Sequence, residues 1–440
     1  MELNRRLGWK EATALGIGAM VGAGIFVLSG VATGKAGPSV IVSFILAAIL
    51  EILLGLCYAE LASRYPRAGG SYEYVRETMG PLMGTLIGWS YWGAWLAASS
   101  FVSQGFGHYL HSLIGVPPIL SAVILLLMLG VLNILGVKYS GIVQVGIVVV
   151  EIVLLVSFFL LGWAHVNYAL FTPFAPNGLE GIVGAALVGF LSMVGWDGIV
   201  AAGEEIRDPK RTIPKAIFSS IVIVLILYLG LLFVSVGVVP WQELGASTVP
   251  VALASQRFLG SFGPLLVNIV IVIALPATAN AFILSISRTA FAMGRNGLLP
   301  KILSFVHPRT ETPVWSIVLG VGIQIAFTIF SSINFAVSAT GFLYLLTFIF
   351  TMVVFFISRR KVISQERSDQ FQVPFYPFTP LLALAICIVL LIPVGGSGVF
   401  VGLLWISLGF GLYIVRYKKI LQIENRKMIT KQKLDVPFVK

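Results

Sequence analysis

Long apolar stretches separated by short polar ones run the whole length of this chain. Windows of about 20 apolar residues, the length a helix needs to cross the hydrocarbon core of a bilayer, begin near residues 12, 39, 84, 119, 141, 182, 215, 262, 313, 336, 377 and 397. The pattern predicts an all-α membrane protein with twelve transmembrane helices. The thinnest divisions are between spans nine and ten, where Ser331, Ser332 and Asn334 intervene, and between eleven and twelve, at Gly395-Gly396-Ser397-Gly398. Two windows carry interruptions of the same kind: Gly22-Ala23-Gly24-Ile25-Phe26 in the first and Gly195-Trp196-Asp197-Gly198-Ile199 in the sixth. Glycine frees the backbone for non-helical angles, and irregular backbone at membrane depth is tolerated where it lines a cavity. Matched breaks in two halves of a chain predict a substrate site near the midplane.

A repeat of five spans must be inverted relative to its copy, because the chain re-enters from the opposite side. The predicted organisation is therefore a cytoplasmic amino terminus (1–11), a first repeat of spans one to five (12–163) and a second of spans six to ten (182–358). Two extra spans (377–417) and a basic cytoplasmic tail (418–440), expected to be a disordered anchor on anionic lipid, complete it. Span six is then the counterpart of span one.

Composition agrees with a bilayer environment: 58% of the 440 residues are hydrophobic and 11% charged, a balance no water-facing surface of this size sustains. The net charge of +11 would suit nucleic acid, but its placement points elsewhere. With both termini cytoplasmic, only Lys35 and Arg257 of the 29 basic residues face outward, which is the positive-inside pattern of a cell membrane protein. Cys57 and Cys387 lie within spans and form no disulfide framework. The amino-terminal apolar run carries the first break and is read as an uncleaved span. The four histidines (His108, His111, His165, His307) have no acidic or cysteine neighbour at ligand spacing, and no phosphate-binding loop occurs. No enzyme, cofactor or metal site is expected.

Four motifs complete the picture. Gly22 to Phe26 is joined by Tyr58-Ala59-Glu60-Leu61 continuing to Pro66, Gly69, Gly70, Ser71 and Tyr72. Trp196-Asp197-Gly198 is followed by Glu204-Glu205, Pro209 and Ile213-Pro214. Ser287-Arg288 precedes Met293, Arg295, Gly297, Pro300 and Thr312-Pro313. In this order and with this span count, the chain resembles the amino acid, polyamine and organocation permease superfamily, on the side of the cationic and large neutral amino acid transporters. The resemblance covers the ten-span core and implies secondary transport of an amino acid on a five-plus-five inverted repeat with spans one and six broken.

The breaks suit such a substrate on physical grounds. Beyond the first one, the helix start leaves free N–H groups near Ala23, Gly24 and Ile25, with roughly half a positive charge, an anion site that needs no basic side chain. The ends of the preceding half-helices leave carbonyls near Ala19 and Met20 in span one and from Leu191 to Val194 in span six. Donors for a carboxylate beside acceptors for an ammonium are what a free α-amino acid requires. The expected substrate-binding residues are thus Ala19, Met20, Gly22, Ala23, Gly24, Ile25, Leu191, Val194, Trp196, Asp197 and Gly198. Val194 stands where relatives often place phenylalanine, which implies a roomier side-chain pocket. Trp92, Trp95 and Phe101 in span three are read as packing or lipid-facing aromatics.

Three acids fall deep in the apolar windows: Glu51, Glu151 and Asp197. An ionised carboxylate there costs about 2.5 to 3.5 kcal/mol on insertion scales, so each is expected to be protonated, paired or wet. By the resemblance, Glu151 occupies the place of a lysine in many sodium-independent relatives. A carboxylate there cannot mimic a cation, but it can bind one or take up a proton. Proton coupling through Glu151 is therefore expected first, with sodium coupling and exchange as alternatives. Asp197 either contacts substrate or holds the loosened backbone of span six, and Glu51 has no assigned part. The rival functions are a polyamine or organic amine permease of the same fold and a membrane amino acid sensor that does not transport. Glu60 and Glu204 are expected to pair with nearby arginines at a cytoplasmic gate.

Overall fold

The computed structural model describes residues 7–64, 71–136, 141–201, 206–361 and 371–434. The chain begins with two short helices in one line of sequence, α1 (Trp9–Met20) and α2 (Ala23–Ala36), and continues through α3 (Val40–Arg64), the short α4 (Ser71–Met79), α5 (Pro81–Ile114), α6 (Pro118–Ile134) and α7 (Gly141–Gly162). A second interrupted pair follows, α8 (Gly178–Met193) and α9 (Asp197–Ala201), and then α10 (Pro209–Val238). Two short helices, α11 (Trp241–Ala246) and α12 (Pro250–Leu259), lead into α13 (Phe262–Arg295), α14 (Val314–Phe330), α15 (Ile333–Lys361), α16 (Phe378–Leu390) and α17 (Gly395–Leu434). Each of the apolar windows read from the sequence begins on or beside one of these helices.

Local chemistry fixes the helix ends. Pro81 opens α5 at a position where a missing N–H costs nothing, and Gly115 (φ +73) closes it with its N–H on the His111 carbonyl at 2.8 Å. Facing also follows the sequence. On α7, Glu151, Leu154, Leu155 and Phe158 are buried along one stripe, whereas Val145, Val149 and Val153 are exposed to the surroundings. An exposed face that is itself apolar is a lipid-facing one. By length and composition, seven helical stretches among the described residues are long and apolar enough to cross a membrane, or eight if α5 and α6, bent by 119° at Gly115 to Pro117, are taken as one. The molecule is an all-α, multi-pass membrane protein.

Two groups of helices divide the interior. α1, α2, α3, α8 and α10 pack mainly on one another, as do α5, α13, α14 and α15. α17 joins the second group through a reciprocal contact with α5. The Trp89 indole donates to the Trp405 carbonyl (2.7 Å), the Trp405 indole donates to the Trp89 carbonyl (2.9 Å), and their rings stack at 4.9 Å. Room for this comes from Gly93 and Gly409, where a Cβ would lie 2.3 Å from Trp405 and 2.5 Å from Trp89. Beyond the apolar part, α17 stays helical to Leu434. This corrects the expected disordered tail: residues 416–434 contain neither glycine nor proline and are rich in strong helix formers.

At the far end of α3, Glu60 is fully buried in a knot of charge. It accepts from Arg64, from Arg359 Nε at 3.0 Å and from the Val373 N–H at 2.7 Å, so it ties α3 to the end of α15. The expected pairing of Glu60 with arginines is observed. Glu204 lies outside the described residues, as do Pro66, Gly69, Gly70 and Glu205 of the motifs.

Candidate functional site

The two breaks meet. Val21 leaves helical geometry (ψ 130°) and Gly22 takes φ +154°, a value side-chain-bearing residues avoid. In the second break Val194 is extended and Gly195 takes φ +143°. Each glycine-containing segment then lies against the other broken span. A Cβ on Gly24 would stand 2.6 Å from the Ser192 carbonyl oxygen, and one on Gly195 would stand 2.6 Å from the Ala19 carbonyl oxygen. Ser192 Oγ donates to the Gly24 carbonyl at 2.9 Å, and the hydroxyl of Tyr228, buried on α10, reaches the Met20 carbonyl at 2.8 Å and the Ser192 carbonyl at 3.3 Å. One side chain thus holds the ends of both broken helices.

A cavity of about 660 Å³ opens at this crossing, within the range of small-molecule sites. Ala19, Met20, Gly24, Leu191, Val194, Asp197 and Gly198 line it, and Glu151 lines it from α7. The remaining sequence-derived residues are placed differently. Ile25 and Trp196 are buried away from the cavity, and Gly22 packs on Thr278. Their neighbourhood offers backbone instead: the first N–H groups of α2, at Ala23, Gly24 and Ile25, have no acceptor within their own helix. Of these Gly24 lines the cavity, as do Ala19, Met20 and Leu191 at the carbonyl ends of α1 and α8, so a positive helix end stands beside negative ones.

The acids fall into three situations. Asp197 Oδ2 accepts the Tyr91 hydroxyl from α5. Glu151 is 2% exposed, and no hydrogen bond to its carboxyl occurs among the described residues. It also borders a smaller apolar crevice of about 240 Å³ between α7 and α13, with Val270 and Ile273. Glu51, on α3, lies outside the cavity and accepts the Trp196 indole N–H at 2.6 Å. Among the described residues no three His, Cys, Asp or Glu side chains stand together in a way that would hold a metal ion.

Several lining residues escaped the sequence reading. Trp95 and Phe101, taken as packing groups, line the cavity, and only Trp92 packs as expected, donating to the Ile286 carbonyl at 3.0 Å. Trp95 stands edge-on to Phe282 of α13 (4.9 Å) and beside Tyr344 of α15 (6.0 Å), giving the second helix group an aromatic wall. The signal was present as spacing: Gly88, Tyr91, Trp95, Ala98 and Val102, three or four apart, form the cavity face of α5. Tyr228 left no such trace, being one hydroxyl in an apolar run. At its other end the cavity reaches Arg288 and Arg295 near the end of α13.

Comparison with known proteins agrees with the geometry. A family model described as amino acid permease matches residues 7–412. The methylthioribose transporter of Bacillus subtilis (strain 168) is 30% identical over 439 residues, covering 95% of this chain and 94% of that protein. The branched-chain amino acid permease BcaP of the same organism is 29% identical over 446 residues, covering 95% and 94%. Its serine/threonine exchanger SteT is 28% identical over 406 residues, covering 87% and 89%. With a match that runs through both breaks and nearly every helix, this chain belongs to the amino acid permease family of the amino acid, polyamine and organocation superfamily, whose members transport rather than catalyse.

Proposed function

We propose that this permease is a secondary transporter that carries an α-amino acid across the cell membrane by alternating access. The carboxylate is held by the N–H groups at the start of α2, and the ammonium by carbonyls at the ends of α1 and α8. The observation that carries this reading is the interlocked pair of breaks at one cavity, with Gly24 on Ser192 and Gly195 on Ala19. Twelve crossings in a five-plus-five inverted repeat, with both termini cytoplasmic, fit the charge placement, and the two helix groups supply the bodies that would rock against each other. Glu151, at the cavity wall with no hydrogen-bond partner among the described residues, is the proposed proton site, with sodium as the alternative ion. The names of the relatives place branched-chain amino acids, serine and threonine in the trial set.

Uptake by proteoliposomes holding the purified protein tests this. Labelled amino acids are offered with and without sodium and at two pH values, with methylthioribose and polyamines as competitors. Saturable uptake of at least one α-amino acid, blocked by its unlabelled form, is expected. Uptake of methylthioribose or a polyamine with no response to any amino acid would overturn the reading, and binding without flux would make the protein a sensor.

A further inference from the structure

Glu51 has no part in the proposed transport chemistry, yet its surroundings are costly. It lies on α3 with no exposed surface. Its Oε2 accepts the Trp196 indole N–H at 2.6 Å, while Oε1 is buried with no hydrogen-bond partner among the described residues. An indole needs one acceptor, and a buried carboxyl brings a second oxygen that must go unsatisfied or carry a proton. A purely structural hold on Trp196 does not ask for that second oxygen.

The residue that Glu51 holds is at the middle of the second break. Gly195 before it touches the Ala19 carbonyl, and Asp197 after it accepts the Tyr91 hydroxyl of α5. The Trp196 ring stands edge-on to Tyr58 at 5.2 Å and stacks on Phe348 of α15 at 6.4 Å. A small turn of the indole therefore moves a backbone segment tied to both helix groups. The titratable groups that face Glu51 are Asp197 from α9, Tyr344 from α15 and Cys387 from α16, with Tyr58 two turns further along α3. Among the described residues, α2, α8 and α10 present it with no charged group, and no basic side chain acts on it.

We infer that Glu51 is a proton-binding positioning residue, whose change of charge at Oε1 alters its hold on Trp196 and so sets the stance of Asp197 against Tyr91 at the cavity. The inference rests on the cavity being the substrate site. In the step, an O–H bond forms or breaks at Oε1, and the proton is exchanged with water in the cavity past Asp197, the neighbouring acid that lines it. The indole N–H stays on Oε2 throughout, donating more strongly to the carboxylate than to the neutral acid.

Two readouts test this. The chain has nine tryptophans, so the emission of Trp196 is taken as the difference between the unchanged protein and W196F in lipid nanodiscs, titrated from pH 5 to 9. A sigmoidal shift is expected that E51Q, which keeps an acceptor but cannot ionise, abolishes. In uptake, E51Q is expected to keep KM within about twofold and to flatten the pH profile of the maximal rate. A shift that survives E51Q, or a pH profile that E51Q leaves unchanged, overturns the inference. If E51Q does not fold, Glu51→Asp keeps the proton but draws the carboxyl back by one methylene. The midpoint should then move by at least about half a pH unit, and an unmoved midpoint has the same force. Absence of all amino acid uptake by the unchanged protein would instead overturn the proposed function, leaving the fluorescence test intact.

Discussion

The two breaks look alike in sequence but are held by different means. The first is held by backbone: Gly24 is pressed on Ser192, its carbonyl accepts from Ser192 Oγ, and the Met20 carbonyl accepts from Tyr228. The second adds side-chain carboxyls, with Trp196 donating to Glu51 and Asp197 accepting from Tyr91. The first break is thus a fixed crossing whose chemistry does not titrate. The second contains or touches two acids, so pH-dependent behaviour at the crossing belongs to it. Glu151 faces the cavity from a third direction, on α7.

The largest effect should come from filling the fixed crossing. In Gly24→Ala the new methyl group would stand 2.6 Å from the Ser192 carbonyl oxygen and 2.7 Å from its Cα, atoms of a helix end that cannot rotate away. Overpacking of this kind costs about 1–3 kcal/mol, and here it separates the two breaks directly. Uptake is expected to fall to background while the protein still reaches the membrane. Measured uptake above about a tenth of normal would show that the crossing is looser than these contacts make it.

Removing one hydroxyl should do less. Tyr228→Phe keeps the ring on Phe44 but leaves the Met20 and Ser192 carbonyls without that donor. A lost buried hydrogen bond of this kind costs about 1–3 kcal/mol, so KM should rise roughly tenfold with a smaller change in maximal rate. An unchanged KM would mean that the carbonyl ends need no side chain to hold them at the cavity.

These predictions draw unequally on what the sequence made legible. The breaks were readable because φ values near +150° leave few residues but glycine, and the buried acids because a carboxyl in an apolar run is expensive wherever it points. Helix positions followed from hydropathy for the same general reason. Tyr91, Tyr228 and Ser192 were not readable as contacts, since each acts through a partner more than 30 residues away in sequence. Trp95 and Phe101 were misjudged because an aromatic in an apolar helix has the same signature whether it faces lipid, core or cavity. Glu51 could be seen as an anomaly, but its partner, Trp196, could not.

Glu151 sharpens the contrast through pH rather than rate. If it carries the coupling proton, uptake by the unchanged protein rises as external pH falls from 8 to 5, because the carrier must be loaded before it returns. Glu151→Gln cannot be loaded or unloaded, so its uptake should lose most of that slope, keeping only the part that Glu51 sets, and lie at most a few-fold below the normal maximum. Retention of the slope in this variant would remove Glu151 from coupling and leave the acids of the second break to account for it.

The smallest effect is expected within the second break itself. Gly198 lines the cavity, its φ is not positive, and a Cβ there would meet nothing within 4 Å. As a residue of α9 it loses rather than gains helix propensity by being glycine, so Gly198→Ala should leave stability unchanged or slightly raised. Uptake of a small amino acid should stay within about twofold of normal, because the methyl group enters open space instead of the crossing. A bulky amino acid offered to the same variant gives the finer reading. If its KM rises while that of serine does not, the side chain of the substrate lies over Gly198, and the second break shapes specificity as well as responding to charge. If neither changes, side-chain selection belongs to the wall of Trp95, Phe282 and Tyr344, and the two breaks share the task of holding the substrate's backbone.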